Sequence, residues 1–306
     1  MKVRFWGVRG SIPVPGPQTV RYGGNTACIE IEGAKKECIV FDAGSGVRLL
    51  GLDLMQRGMP LPLVNLFITH THWDHIQGFP FFVPNYIPGT TVAVRGPVHY
   101  MDTKNLRDVF DQQMSYDYFP ISNSQLAAQL SYESIGETNV NIGPITVSSQ
   151  FTNHPIRSLG YRVEENGRSV FYSGDHEPYY NLFSGSETDA DEDDDLLFGD
   201  IDTTVDVANQ RFVDFFRGVD VAVLDCQYTP EEYAADKRSW GHSSWDYCLD
   251  WMQKAGVERM VLTHHEPLRT DDEIDRISDS VRQAAGERGI DPQRIIIAHE
   301  GLEMSV

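Results

Sequence analysis

His70-Thr71-His72-Trp73-Asp74-His75 follows Leu66-Phe67-Ile68-Thr69, a short run that reads as a buried strand. Three imidazoles and one carboxylate within six positions at a strand exit form a metal-ligand cluster. Imidazole suits borderline metals such as zinc, and a carboxylate adds a harder oxygen ligand. In an extended segment His70 and His72 point the same way, because side chains repeat every two residues. Both can therefore share one ion. Asp74 and His75, at the turn into a following helix, can reach a second. A loop with accidental histidines is the plain alternative; the tight spacing speaks against it.

Further ligands come singly. His154 lies in Asn153-His154-Pro155 after the strand-like Ile145–Phe151. Asp175 closes Ser173-Gly174-Asp175 after Ser169–Tyr172, and His264 lies in Thr263-His264-His265 after Met260-Val261-Leu262. Each follows an apolar β run and opens a loop, where α/β architectures aim side chains into a cleft beyond the sheet edge. One His or Asp at a strand end is more often structural. Three of them beside the 70–75 cluster reverse that expectation.

This HxHxDH run, with the later His, Asp and His, resembles the metallo-β-lactamase superfamily. The resemblance begins at Phe5-Trp6-Gly7-Val8-Arg9-Gly10-Ser11 and Gly23-Gly24-Asn25-Thr26, includes Phe41-Asp42-Ala43-Gly44 and runs to the end. It implies that His70, His72 and His154 hold one divalent ion, that Asp74, His75 and His264 hold the other, and that Asp175 bridges them. Zinc is the expected metal, with manganese or iron as alternatives. The fold class is α/β (α+β), and the resemblance implies a four-layer αββα sandwich over residues 1–306 as one domain.

The coarse elements are strands at 2–6, 26–32, 37–42 and 63–69 and a helix at 45–57 with Val47, Leu50 and Leu54 at helical spacing. A helix is expected at 102–114. A strand meander is expected at 140–151, 159–164 and 169–173, turning at Glu165-Asn166-Gly167. Helix 205–217, strand 219–225, helix 244–255 and strand 258–263 follow. A helix then opens on the capping box Thr270-Asp271-Asp272-Glu273, and strand 294–298 closes the chain.

The chain has 306 residues, 41% of them hydrophobic, and a formal net charge of −20. That charge argues against a nucleic-acid polymer as the main partner, since phosphate-backbone affinity comes from Lys and Arg. It leaves room for a small anionic substrate, because metal cations dominate the local field. Much of the acidity lies at 184–206, which reads as a solvated surface insertion. No apolar run is long enough to span a membrane, and the N-terminus reads as a strand instead of a secretory signal, so a cytoplasmic location is expected. Cys28, Cys38, Cys226 and Cys248 show no paired spacing and read as packed thiols.

Trp240-Gly241-His242-Ser243-Ser244 narrows the function. Serines at a helix start are expected to cap free N–H groups, and that end favours anions. A His there can donate to a phosphate oxygen or protonate a departing alkoxide. A capping His without substrate contact is the alternative. The motif resembles the Gly-His-Ser segment of the superfamily's phosphodiesterase branch, which includes the tRNA-maturing ribonuclease.

A phosphodiesterase acting on small substrates such as cyclic nucleotides is therefore expected. Its catalytic residues would be Asp74, which orients the nucleophile and accepts its proton, and His242. A lactonase or thioesterase is the alternative. The tRNA-processing endoribonuclease ranks below both, because no basic Gly-rich arm appears. Asp42 and Asp225, each ending an apolar run, are candidates to hold ligand imidazoles or simply to cap turns. His265 is expected on the strand face opposite His264; His99, His176 and His299 have no matching context. Phe81, Phe82 and Tyr86 read as helix packing before base stacking. Oligomeric state is open, a homodimer being common among the related phosphodiesterases.

Overall fold

The computed structural model describes residues 1–58, 61–98, 105–181 and 194–306, with side chains of 194–200 excluded. Two seven-stranded sheets face each other. The first contains β1 (Lys2–Gly7), β2 (Cys28–Glu32), β3 (Cys38–Phe41), β4 (Val64–Phe67), β5 (Thr91–Pro97) and β6 (Gln129–Ile135). The second contains β7 (Asn139–Ile142), β8 (Ile145–Thr152), β9 (Ser158–Glu165), β10 (Arg168–Tyr172), β11 (Val221–Asp225), β12 (Arg259–Thr263) and β13 (Ile295–Ile297). A last strand, β14 (Glu303–Ser305), returns to the first sheet and pairs antiparallel with β1.

Alternation along the strands builds three apolar layers. Ile29, Ile31, Phe41 and Phe67 point between the sheets and meet Val147, Tyr161, Val163 and Val223. Their neighbours Cys28, Val40 and Leu66 face outward onto helices α1 (Val47–Arg57), α2 (Trp73–Ile76) and α3 (Leu106–Gln113). Phe171, Ala222 and Leu224 face outward from the second sheet. They are covered by α4 (Asp194–Phe215), α6 (Trp245–Ala255) and α7 (Asp271–Glu287), with the short α5 (Pro230–Glu232) between. This is the expected αββα order.

Strands β3 to β6 run parallel, as do β10 to β13. Their C-terminal ends gather at one edge, where α/β sheets place ligands.

Several expectations need correction. The 140–151 stretch is two strands, because Gly143 takes φ 58° and turns the chain back. Strands β5 and β6 were not anticipated. The chain does not close on 294–298, since β14 follows. The 102–114 helix is Leu106–Gln113, and residues 101–104 lie outside those described, as does His99. Of the 184–206 insertion, residues 184–193 lie outside the described residues. From Asp194 onward it is helical, so α4 starts well before the expected 205. The hairpin at Asn166-Gly167 stands, with φ 50° and 76°. So does the Thr270/Glu273 capping box. Among the described residues no helix is long and apolar enough to cross a membrane.

Candidate metal centre and its histidine

Five strand ends deliver the site. β4 leads into Thr69 and His70, and His72 is the extended N-cap of α2, which carries Asp74 and His75. His154 follows β8, Asp175 follows β10, Asp225 ends β11 and His264 follows β12. Residues as far as 190 positions apart in sequence thus converge. His70 Nε2 and His154 Nε2 lie 3.0 and 3.1 Å from His72 Nδ1. Asp175 Oδ2 lies 3.4 Å from His70 Nε2 and 3.3 Å from His75 Nε2, while its Oδ1 lies 3.3 Å from His264 Nε2. His264 Nε2 is 3.3 Å from Asp74 Oδ2.

Two ligand groups result, His70/His72/His154 and Asp74/His75/Asp175/His264. A third arrangement joins Asp175, Asp225, His242 and His264.

Hydrogen bonds at the far side of each ring fix which nitrogen is free. His154 gives its Nδ1–H to the Gly241 carbonyl at 2.9 Å, and His75 faces the Asp42 carboxylate through Nδ1 at 2.8 Å. His264 Nδ1 meets Gln227 Oε1 at 3.1 Å. These acceptors claim the Nδ1 proton of each ring, leaving Nε2 with a lone pair aimed into the cluster. His75 Nε2 and Asp175 Oδ1 are buried and make no hydrogen bond. Lone pairs and carboxylate oxygens converging without donors are what a metal ion satisfies, so the residues fit the expected divalent cations.

The electrostatics agree. Burial lowers the pKa of His70, and lowers that of His154 to about 4. Burial also opposes charge on His264, but Asp175, Asp74 and Asp225 outweigh it and raise the ring to about 9. His75 is driven well above its ordinary value by Asp175, Asp74 and Asp42 against the same burial penalty. Against burial, His264, His75 and His70 hold Asp175 well below the ordinary range, and His75 and His264 do the same for Asp74. The buried carboxylates demand positive charge. Protons on His75 and His264 are one source; divalent cations are the other.

Asp42 is a ring-holder. It accepts from Thr69 N at 2.7 Å, from the Thr69 hydroxyl, from Tyr172 Oη at 3.0 Å and from His75. Asp42 and His264 both adopt left-handed backbone, φ 62° and 63°, strain of the kind that clusters at functional sites.

Asp225 accepts from His242 Nδ1 at 3.0 Å, while burial pushes its own pKa up. The His242 ring stacks 4.9 Å from His264 and lies 5.5 Å from His154, with 12% of its side chain exposed.

The serines do not cap as expected. Ser244 is the N-cap of α6 but makes no side-chain cap bond; its hydroxyl goes to Asp246, and Ser243 donates to the His176 carbonyl. Cys226 is buried beside Cys248 and lies outside the ligand groups. His265 turns away and bonds the Ala298 carbonyl at 2.8 Å. His176 stacks on Phe212 in the core, centroids 3.6 Å apart. Phe82 is fully buried, and Phe81 packs edge-on against Phe119. Sequence reading missed Gln227, which meets His264 Nδ1, and Glu177, which accepts from the Gly241 N–H beside His242; neither lies in a motif.

A two-sheet sandwich with HxHxDH at a strand exit and His, Asp and His delivered by later strands defines a metallo-β-lactamase-type fold with a candidate metal centre. A family model described as "Beta-lactamase superfamily domain" matches residues 38–182, which hold His70 to His75, His154 and Asp175. Over that stretch the chain is similar to the metallo-β-lactamase superfamily, and ribonuclease Z proteins are among its relatives.

It is 26% identical over 172 residues to Ribonuclease Z of Staphylococcus carnosus, covering 54% of this chain and 49% of that protein. The chain thus matches about half the length of that relative. The fold is shared with the metallo-beta-lactamase fold protein YhfI from Bacillus subtilis, at TM-score 0.65 and 17% identity over 99% of this chain and 98% of that one. It is also shared with a diphosphatase from the PhnP family, at TM-score 0.63 and 16% identity over 100% and 97%.

Proposed function

We propose that this chain is a dinuclear-metal phosphodiesterase acting on a small phosphodiester such as a cyclic nucleotide. His70, His72 and His154 hold one ion, Asp74, His75 and His264 the other, and Asp175 is shared. The imidazole-rich set suits zinc. When bound, such a metal pair supplies an activated water and neutralises phosphoryl charge.

The observation that carries the reading is the Asp225–His242 pair beside the ligand cluster. Asp225 takes the Nδ1 proton at 3.0 Å and fixes the ring, which leaves Nε2 as the atom that meets substrate. With a second proton on Nε2, the imidazolium, whose charge the Asp225 carboxylate balances, donates to a phosphoryl oxygen or gives that proton to the departing alkoxide. Asp74, steadied by Ser11 N at 2.7 Å, orients the nucleophile and accepts its proton. A cavity of about 360 Å³ opens beside His154 and is walled by Tyr179 and Tyr180. That volume suits a small ligand.

The similarity to Ribonuclease Z favours a second reading, cleavage of precursor tRNA. The net charge of −20 weighs against it. The metal site alone also admits lactones and thioesters.

Metal-reconstituted protein should be assayed in parallel on bis-p-nitrophenyl phosphate, cyclic nucleotides, precursor tRNA, an acyl-homoserine lactone and a glutathione thioester. Small phosphodiesters should be turned over best. His242→Ala should lower that turnover by about 100-fold with metal content intact. Equal turnover by the variant removes the role given to His242, and preference for tRNA or carbon esters replaces the substrate assignment.

A further inference from the structure

The loop that carries His242 has no regular structure of its own, and its backbone is strained. Ser239 and Gly241 take φ 68° and 84°. At Gly241 a Cβ would lie 2.3 Å from His154 Nδ1, so only glycine fits. What holds this turn is a carboxylate. Glu177, only 3% exposed, accepts from Ser239 N at 2.8 Å through one oxygen and from Gly241 N at 2.8 Å through the other. Tyr233 Oη donates to it as well, at 2.8 Å.

The same residue is fastened to the metal side. It stands two positions after Asp175, and its own N–H bonds the Asn153 carbonyl at 2.9 Å, next to His154. The bridged turn then closes the circuit, since the Gly241 carbonyl receives His154 Nδ1.

We infer that Glu177 is a positioning residue: its carboxylate clamps the 239–241 turn so that one peptide unit aims His154 at the metal cluster and presents His242 to substrate. The inference rests on the phosphodiesterase reading for its kinetic consequence, but not for its effect on metal binding. A carboxylate is required because both backbone partners donate. A glutamine would turn an N–H against one of them, leaving a buried donor without an acceptor.

The test uses the full chain with Glu177→Gln, Glu177→Asp, His242→Ala and the Glu177→Gln/His242→Ala double variant. Zinc affinity is measured by competition with a chromogenic chelator, and kcat and KM are measured on the best phosphodiester. Glu177→Gln should weaken zinc binding by about 10-fold, through His154. It should lower kcat by about 10-fold at saturating zinc with KM little changed. Because Glu177 acts on turnover through His242, the double variant should match His242→Ala within about threefold. Glu177→Asp, which keeps the charge, should recover part of both losses.

A Glu177→Gln variant with wild-type zinc affinity and kcat overturns the inference. So does a double variant whose loss is the product of the two singles, as a merely structural residue would give. If the wild type turns over no phosphodiester, the functional reading fails while the zinc titration still decides the clamp. If Glu177→Gln does not fold, the milder Glu177→Asp carries the same comparison.

Discussion

At the scale of single residues, the histidines divide by what their second nitrogen touches. His75, His154 and His264 each lose a proton's freedom to an acceptor outside the cluster, and that choice sets their chemistry. His265, next in sequence to His264, is the contrasting case. It lies in the core against Ala298 O, and burial lowers its pKa to about 3, with Arg9 adding to the effect.

A His that stays neutral when folded but titrates near 6.5 when unfolded destabilises the fold as pH falls. Below 6.5 the unfolded chain binds a proton that the folded chain refuses. Stability should therefore be full above pH 6.5 and decline toward pH 3, at roughly 1.4 kcal/mol per pH unit from this residue. His265→Gln keeps an N–H donor and removes the titration. Denaturant midpoints between pH 7 and pH 5 should then fall less steeply for the variant than for the wild type. Parallel declines would show that His265 is not the titrating group.

At the scale of elements, the short helix α2 is held by backbone contact. Ala43 N bonds the His75 carbonyl at 2.7 Å and Gly78 N bonds the Ala43 carbonyl at 2.8 Å. The approach is so close that a Cβ on Gly78 would fall 2.1 Å from Gly44 O. Gly78→Ala should push α2, and with it Asp74 and His75, away from the sheet. Zinc affinity should drop by about 10-fold or more, and the melting temperature should fall. Unchanged affinity would show that the glycine is dispensable there.

The same contacts explain what was legible beforehand. The cluster 70–75, the strand ends before His154, Asp175 and His264, and the Val47/Leu50/Leu54 stripe all follow local patterns that chain sequence displays. Strands β5 and β6 were hidden because Thr91–Pro97 and Gln129–Ile135 hold polar residues that only pairing with their neighbours makes regular. Glu177 was hidden because its partners are backbone N–H groups more than sixty positions away, which no side-chain motif marks. The serine caps failed because other acceptors claimed both hydroxyls: the distant His176 carbonyl took that of Ser243, and the neighbouring Asp246 carboxylate took that of Ser244.

At the scale of the whole molecule, two sheets with their helices enclose three apolar layers and leave one edge for polar chemistry. The β1–β14 pairing brings the two ends of the chain together at the side of the first sheet. The overall charge of −20 surrounds a centre whose own carboxylates call for cations, so the local field and the global field differ in their effect on an anionic substrate.

The central claim is that the seven residues named as ligands hold two divalent ions. Elemental analysis by plasma mass spectrometry on dialysed, zinc-reconstituted protein tests it directly. About two ions per chain are expected for the wild type and about one for His154→Ala. A wild-type chain that retains no stoichiometric metal, or a His154→Ala chain that retains as much as the wild type, would contradict it.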